Sequence, residues 1–350
     1  MKTIPVFVGS VQIGGGAPIR IQSMIKSKTE DYNAVIREIK KLEHAGCEII
    51  RIAIPNIIAV NNIPKIKVQI KIPLVADIHF DYRLALASIK AGADKIRINP
   101  GNIGTKYKIR EIIKSAKDKN IPIRIGVNAG SIAKPVLSKY KNRGSDAILE
   151  SIKQSLEVFE KENFTNIVLS AKTTNTLETI EVYERLADKY PYPLHIGVTE
   201  AGLPFEGAVR SASALSVLLN KGIGDTIRIS LTGPSILEVE TAKEILTSLG
   251  KRDFGPLLIS CPTCGRCEVD LEKIAQEVKK YLKEVTKPIK VAVMGCVVNG
   301  PGEASSADFG IACGKKSGVI FKNGKIVKKV KEENLVSELI KTIKDSEIIT

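Results

Sequence analysis

Eight short Val- and Ile-rich runs alternate with amphipathic stretches over the first 245 residues, and five of six cysteines gather in the last hundred. These two observations predict an α/β fold: a TIM barrel followed by a small α/β metal domain. The length of 350 residues suits a barrel plus a smaller module. Hydrophobic residues at 43% and charged residues at 26% describe a globular chain rather than a disordered one.

The strand-like runs occur in order: PIRIQSM (18–24), CEIIRIAIP (47–55), PLVADIHF (73–80), DKIRINP (94–100), IPIRIGVN (121–128), NIVLSAK (166–172), PLHIGVTE (193–200) and DTIRISLT (225–232). Charged amphipathic segments such as DYNAVIREIKKLEHAG (31–46) and DYRLALASIKAG (81–92) separate most of them and predict helices. A doubly wound sheet is the alternative, but it calls for a glycine-rich phosphate loop after an early strand. IGGGAP (13–18) has the spacing of neither a dinucleotide fingerprint nor a Walker loop.

Polar residues inside these strands follow period 2. Asp77 and His79, Arg97 and Asn99, and Arg228 and Ser230 each share one side of a strand. Arg20, Arg51, Arg124 and Lys172 take similar positions, and His195, Thr199 and Glu200 close the seventh run. In a barrel, side chains at the carboxyl ends of the strands line the active site. A single strand arginine is as readily an internal ion pair as a ligand contact. Several converging on one end favour an anion with more than one phosphate, whose oxygens match guanidinium forks.

TSLGKRDFGP (247–256) breaks the alternation and reads as a linker. The expected domains are 1–246, the substrate-binding barrel, and 256–350, the metal domain. In the second, LEKIAQEVKKYL predicts a helix, IKVAVMGC (289–296) a strand leading into VVNGPGE, SGVIFKNGKIVKKV (317–330) a hairpin turning at Asn-Gly, and ENLVSELIKTIK a closing helix. Cys261-x2-Cys264-x2-Cys267 has spacing found in iron–sulfur sites, while Cys-x2-Cys with distant cysteines also suits zinc. On spacing alone both metals stay open, with Cys267 and Cys313 as candidate further ligands.

The net charge of +15 admits nucleic acid or an anionic small molecule. An aromatic content of 5% without tryptophan gives single strands few stacking platforms, so no nucleic-acid partner is expected. No apolar run approaches the roughly 18 residues of a membrane span. No signal-peptide pattern develops at the start. A cytoplasmic protein without a membrane partner is expected.

IGGGAPIRIQSM, IPLVADIHFDYRLAL, KIRINPGNIG, IPIRIGVNAGSI, YPLHIGVTEAG, GIGDTIRISLT, SCPTCGR and VAVMGCVVNGPGEA together run nearly end to end. On these strings the chain resembles the 4-hydroxy-3-methylbut-2-enyl diphosphate synthase family of the non-mevalonate isoprenoid pathway, in its bacterial two-domain form. The resemblance implies an oxidoreductase that reductively opens and dehydrates 2-C-methyl-D-erythritol 2,4-cyclodiphosphate. It implies two electrons from flavodoxin or ferredoxin, passed through one [4Fe–4S] cluster bound by Cys261, Cys264, Cys296 and Glu303. Arg51, Arg97, Asn99, Arg124, Asn128, Lys172, His195, Arg228 and Ser230 fall in the matching substrate-binding motifs, and Glu200 matches a carboxylate that assists proton transfer. A head-to-tail homodimer, with one chain's cluster domain capping the other's barrel, is also implied. Cys267 and Cys313 match no family ligand, and Asn175 in AKTTN stands where the family has an acidic residue.

Overall fold

A computed structural model of the chain describes residues 3–128, 130, 132, 134–140, 144–296, 302 and 306–346. It divides into two units, Met1–Arg252 and Asp253–Thr350.

In the first unit, β1 (Val6–Val8) and β2 (Val11–Ile13) form an antiparallel hairpin turning at Gly9, whose φ is +55°. Its Val8 and Ile13 pack on Ile49 and Val75, near the amino ends of two barrel strands. The barrel follows: β3 (Arg20–Met24), β4 (Ile49–Ala53), β5 (Leu74–Ile78), β6 (Lys95–Ile98), β7 (Ile123–Asn128), β8 (Ile167–Lys172), β9 (His195–Ile196) and β10 (Thr226–Ile227). All pair in parallel in the order β8-β7-β6-β5-β4-β3-β10-β9, and the bridge Leu169↔Leu194 closes the ring. The closed parallel sheet is the predicted TIM barrel.

Each strand sends alternate side chains to the two faces. In β6, Lys95 and Arg97 occupy one face and Ile96 and Ile98 the other, all four buried. Helices cover the outer face. The helix Tyr32–Ala45 starts where Asp31 accepts the Ala34 N–H at 2.9 Å and buries Val35, Ile39 and Leu42. Asn175, in the departing AKTTN segment, has a local task of the same kind: its side chain accepts the Glu178 N–H at 3.0 Å and caps Thr176–Lys189. The helix Ser235–Ser248 runs past residue 246, and Arg252 still bonds the Ile19 carbonyl and the Glu48 carboxylate, at 2.8 and 2.6 Å. The first unit therefore extends through the amino half of the segment read as a linker.

The second unit is one mixed sheet, ordered β11 (Leu257–Ser260), β12 (Lys290–Met294), β13 (Phe309–Gly314), β14 (Ser317–Lys322) and β15 (Lys325–Lys331). The first three run parallel and the last two antiparallel. Leu271–Leu282 and Leu335–Lys344, the two expected helices, bury Val278, Leu282, Leu335, Leu339 and Ile343 against Val291, Val293 and Ile311. The hairpin turns at Asn323 and Gly324, with φ of +48° and +72°, the left-handed pair that a tight two-residue turn requires. No helix among the described residues is long and apolar enough to cross a membrane.

Candidate active site

The barrel interior is polar toward the carboxyl ends of its strands, and its centre is one carboxylate. Asp77, 2% exposed on β5, lies 3.1 Å from Arg97 Nη1, 3.6 Å from Arg51 Nε and 3.4 Å from His79 Nε2. The strand registers make this meeting unavoidable, because Asp77 pairs with Arg97 across β5–β6 and Arg97 with Arg124 across β6–β7. Burial alone would raise the Asp77 carboxyl, but Arg51, the His79 contact and Arg97 outweigh it and hold it far below the usual range. In the other direction, burial with Arg228 and Arg97 nearby lowers Arg51 to about 10, despite Asp77.

A second carboxylate, Glu238, reaches in from the first turn of Ser235–Ser248. It is 2% exposed and takes contacts from Arg228 Nη2 at 3.3 Å, Ser23 Oγ at 3.2 Å and the Leu231 N–H at 3.1 Å. Arg228 Nη1 also donates to Ser230 Oγ at 2.8 Å, so the period-2 pair does share one face. Part of the arginine set is thus paired internally, as the plainer sequence reading allows.

The pairing is incomplete. Arg124 is 1% exposed, and its Nε and Nη1 have no hydrogen-bond partner; the same holds for Arg97 Nε, Arg228 Nε and His195 Nε2. Burial, then the charges of Arg51 and Arg97, push the Arg124 guanidinium well below its ordinary value. Burial and then Arg228 and Arg124 do the same to Lys172. His195 is fully buried with Nδ1 2.7 Å from Thr226 Oγ1; burial, then Arg124 and Lys172, depress its pKa and keep the imidazole neutral. Cations crowded against two carboxylates, with donors left over, have the chemistry to take up a multiply charged anion.

The remaining barrel residues sit at the rim. The Asn99 side chain accepts the Gly101 N–H at 3.2 Å, and Asn128 ends β7 in register with Lys172. Glu200 is exposed and held at φ +53°, between Gly197 and Gly202, in the loop after β9. Sequence reasoning missed Lys95 and Glu238. Lys95, fully buried, is pushed well below its ordinary pKa by burial and then Arg124 and Arg51, and its Nζ lies 3.5 Å from Gln22 Oε1. It shares a face with Arg97 and Asn99, so the same period-2 rule marks it.

In the second unit, Cys261 and Cys296 follow the carboxyl ends of neighbouring parallel strands, β11 and β12, and Cys264 lies in the turn after Cys261. Cys261 Sγ accepts the Gly295 N–H at 3.2 Å. The exposed Cys264 thiol is lowered first by a backbone hydrogen bond from Arg266. All the cysteines are free thiols. Among the described residues, no three His, Cys, Asp or Glu side chains are gathered as a metal group. Glu303 lies outside the described residues. Soft thiols at adjacent strand ends, one accepting a backbone N–H and one lowered, are a donor set that fits an iron–sulfur cluster.

Two family matches divide the chain as its fold does: a GcpE TIM-barrel domain over residues 3–243 and a GcpE protein C-terminal domain over 257–345. The chain is 53% identical over 343 residues to a 4-hydroxy-3-methylbut-2-en-1-yl diphosphate synthase (flavodoxin) of Thermodesulfovibrio yellowstonii, covering 98% of each chain. A Clostridium acetobutylicum protein of the same description is 52% identical over the same shares. Among solved structures, the spore coat polysaccharide biosynthesis protein SpsE of Bacillus subtilis matches with a TM-score of 0.50 at 10% identity, over 71% of this chain and 74% of that one. That likeness concerns the barrel fold alone.

Proposed function

The chain belongs to the GcpE family, and from that premise we propose that it converts 2-C-methyl-D-erythritol 2,4-cyclodiphosphate to 4-hydroxy-3-methylbut-2-enyl diphosphate. In this reaction a ring C–O bond opens, one hydroxyl leaves as water, and flavodoxin or ferredoxin supplies two electrons. The observation that carries the reading is the buried surplus of cationic donors around Asp77, which calls for a substrate bearing more than one phosphate.

The barrel residues divide the work by position. Arg51, Arg97, Arg124, Lys172 and Arg228 bind the diphosphate; its charge relieves their mutual repulsion and satisfies donors left over in the protein. Asp77 and Glu238 hold the guanidinium forks at fixed angles, so little reorganisation is needed when the ring opens and negative charge grows on the departing oxygen. Asn99, Asn128, Ser230 and neutral His195 complete the hydrogen-bonding wall. Glu200, an exposed carboxylate at the rim, moves the proton that leaves with water. A [4Fe–4S] cluster held by Cys261, Cys264, Cys296 and Glu303 would supply the electrons and a Lewis-acidic iron, the oxygen ligand being more readily exchanged than a thiolate. A head-to-tail homodimer would complete each site with a second copy.

Anaerobic turnover of the cyclodiphosphate with dithionite or reduced flavodoxin, followed by product identification, tests the proposal. One equivalent of the hydroxylated allylic diphosphate per two electrons is expected. Substrate recovered intact from iron-loaded protein would refute it.

A further inference from the structure

Cys267 and Cys313, which the ligand assignment leaves over, stand on the same face of the second unit's sheet. β12 and β13 run parallel with Met294, the last residue of β12, opposite Ala312, so Gly295 leaves the sheet beside the β13 position of Cys313. Neighbouring strands lie about 4.8 Å apart. Gly295 has no side chain, and the Cys267 thiol fills that space: its Sγ lies 2.6 Å from where a Cβ on Gly295 would be. On its other side Cys313 pairs with Gly318, a second residue without a side chain. Cys313 is fully buried in the core under the two helices, and Cys267 is half-buried at its edge. After burial, Cys267 is the largest influence raising the Cys313 thiol, to about 12, as proximity requires.

We infer that Cys267 and Cys313 are a dedicated pair that closes into a reversible disulfide when the protein meets a hydroperoxide, sparing the thiols assigned to the cluster. The Cys267 sulfur occupies the side-chain space of Gly295, about one strand spacing of 4.8 Å from β13, so a rotation of the Cys267 side chain carries it toward the Cys313 thiol. Cys267 is the half-exposed member, and its thiol donates to the Val269 carbonyl at 3.3 Å, a contact it can leave without unfolding a strand. Its sulfur attacks the peroxide, breaking the O–O bond and releasing water as it becomes a sulfenic acid. Cys313 sulfur then displaces hydroxide from it; the S–S bond forms, and the departing hydroxide takes the Cys313 proton as a second water. Two thiols are oxidised and one hydrogen peroxide is reduced. The bond ties the segment carrying Cys261 and Cys264 to β13, a strand that contributes no assigned ligand.

The test treats the full-length, cluster-loaded protein with stoichiometric hydrogen peroxide under anaerobic conditions, then alkylates it in denaturant and maps the peptides. A linked Cys267–Cys313 peptide is expected, with a loss of two alkylatable thiols that dithiothreitol restores. Cys267→Ser and, separately, Cys313→Ala should each abolish that loss while binding normal iron, so failure of one variant to fold leaves the other. Quantitative alkylation of both cysteines after peroxide, a link from Cys267 to Cys261, or irreversible oxidation of Cys267 would each overturn the inference.

Discussion

Asp77 carries the electrostatics of the barrel interior, since both Arg51 and Arg97 lean on it. Its folded pKa is depressed, so its stabilisation is fully present above the unfolded value of roughly 4 and is lost as pH falls through the folded value. Asp77→Asn should therefore destabilise the barrel by about 3–5 kcal/mol at pH 7. Denaturant unfolding followed as a function of pH should show that difference shrinking below about pH 4. The thiols allow a sharper division. Serine at Cys261, Cys264 or Cys296 should remove bound iron and sulfide, whereas serine at Cys267 or alanine at Cys313 should leave both, as counted per chain after anaerobic reconstitution. Arg51, Arg97, Arg124 and Lys172 were legible because each lies in a strand, where period 2 assigns a face. Glu238 was not: it enters from a helix turn, and nothing in SILEVE distinguishes an inward glutamate from a solvated one.

At the scale of elements, the alternation of buried Ile and Val runs with amphipathic helices marked all eight barrel strands. Their lengths were harder to read. PLHIGVTE and DTIRISLT have eight residues each, yet only His195–Ile196 and Thr226–Ile227 pair as strand. Gly197 explains part of this, since its φ of +155° turns the chain, and a Cβ there would lie 2.3 Å from the Arg228 carbonyl oxygen. β13 escaped notice because FGIACG is buried along nearly its whole length, and a short apolar run has no period to separate strand from helix. Another glycine positions the site. A Cβ on Gly126 of β7 would come within 2.7 Å of Arg97 Nε, in the space where that guanidinium lies against the Gly126 carbonyl. Arg97→Leu should weaken cyclodiphosphate binding by about 2–5 kcal/mol without loss of iron. Gly126→Ala should reproduce part of that loss by displacing the same guanidinium, and calorimetric titration of both variants checks the order.

For the whole molecule, the proposed function assigns anion binding to one unit and electron delivery to the other, a division that can be tested by mixing chains. If sites form between subunits, a chain carrying Glu200→Gln and one carrying Cys296→Ser, each inactive alone, should regain activity in a mixed dimer. One of the two sites then carries both defects and the other neither. Verified heterodimers that stay inactive would place each site within a single chain. The expectation of sites between subunits comes from the family resemblance alone; residue periodicity speaks only of faces within one chain.

The strand order also sets a timetable for folding. β3 to β8 pair in sequence, each with the strand before it, so those contacts form between near neighbours in the chain. β10 instead inserts between β3 and β9, joining Arg20 to Thr226 across about 200 residues, and one bridge, Leu169↔Leu194, seals the far side. Contacts of such long range pay their loop-closure entropy first and form late. Pulse-labelled amides of β4 to β7 should gain protection from exchange before Arg20, whose N–H bonds the Asp225 carbonyl where β3 meets β10, the strand that leads to Arg228. Arg228 belongs to the proposed anion site, so a newly made chain should acquire its sheet before it can hold a diphosphate.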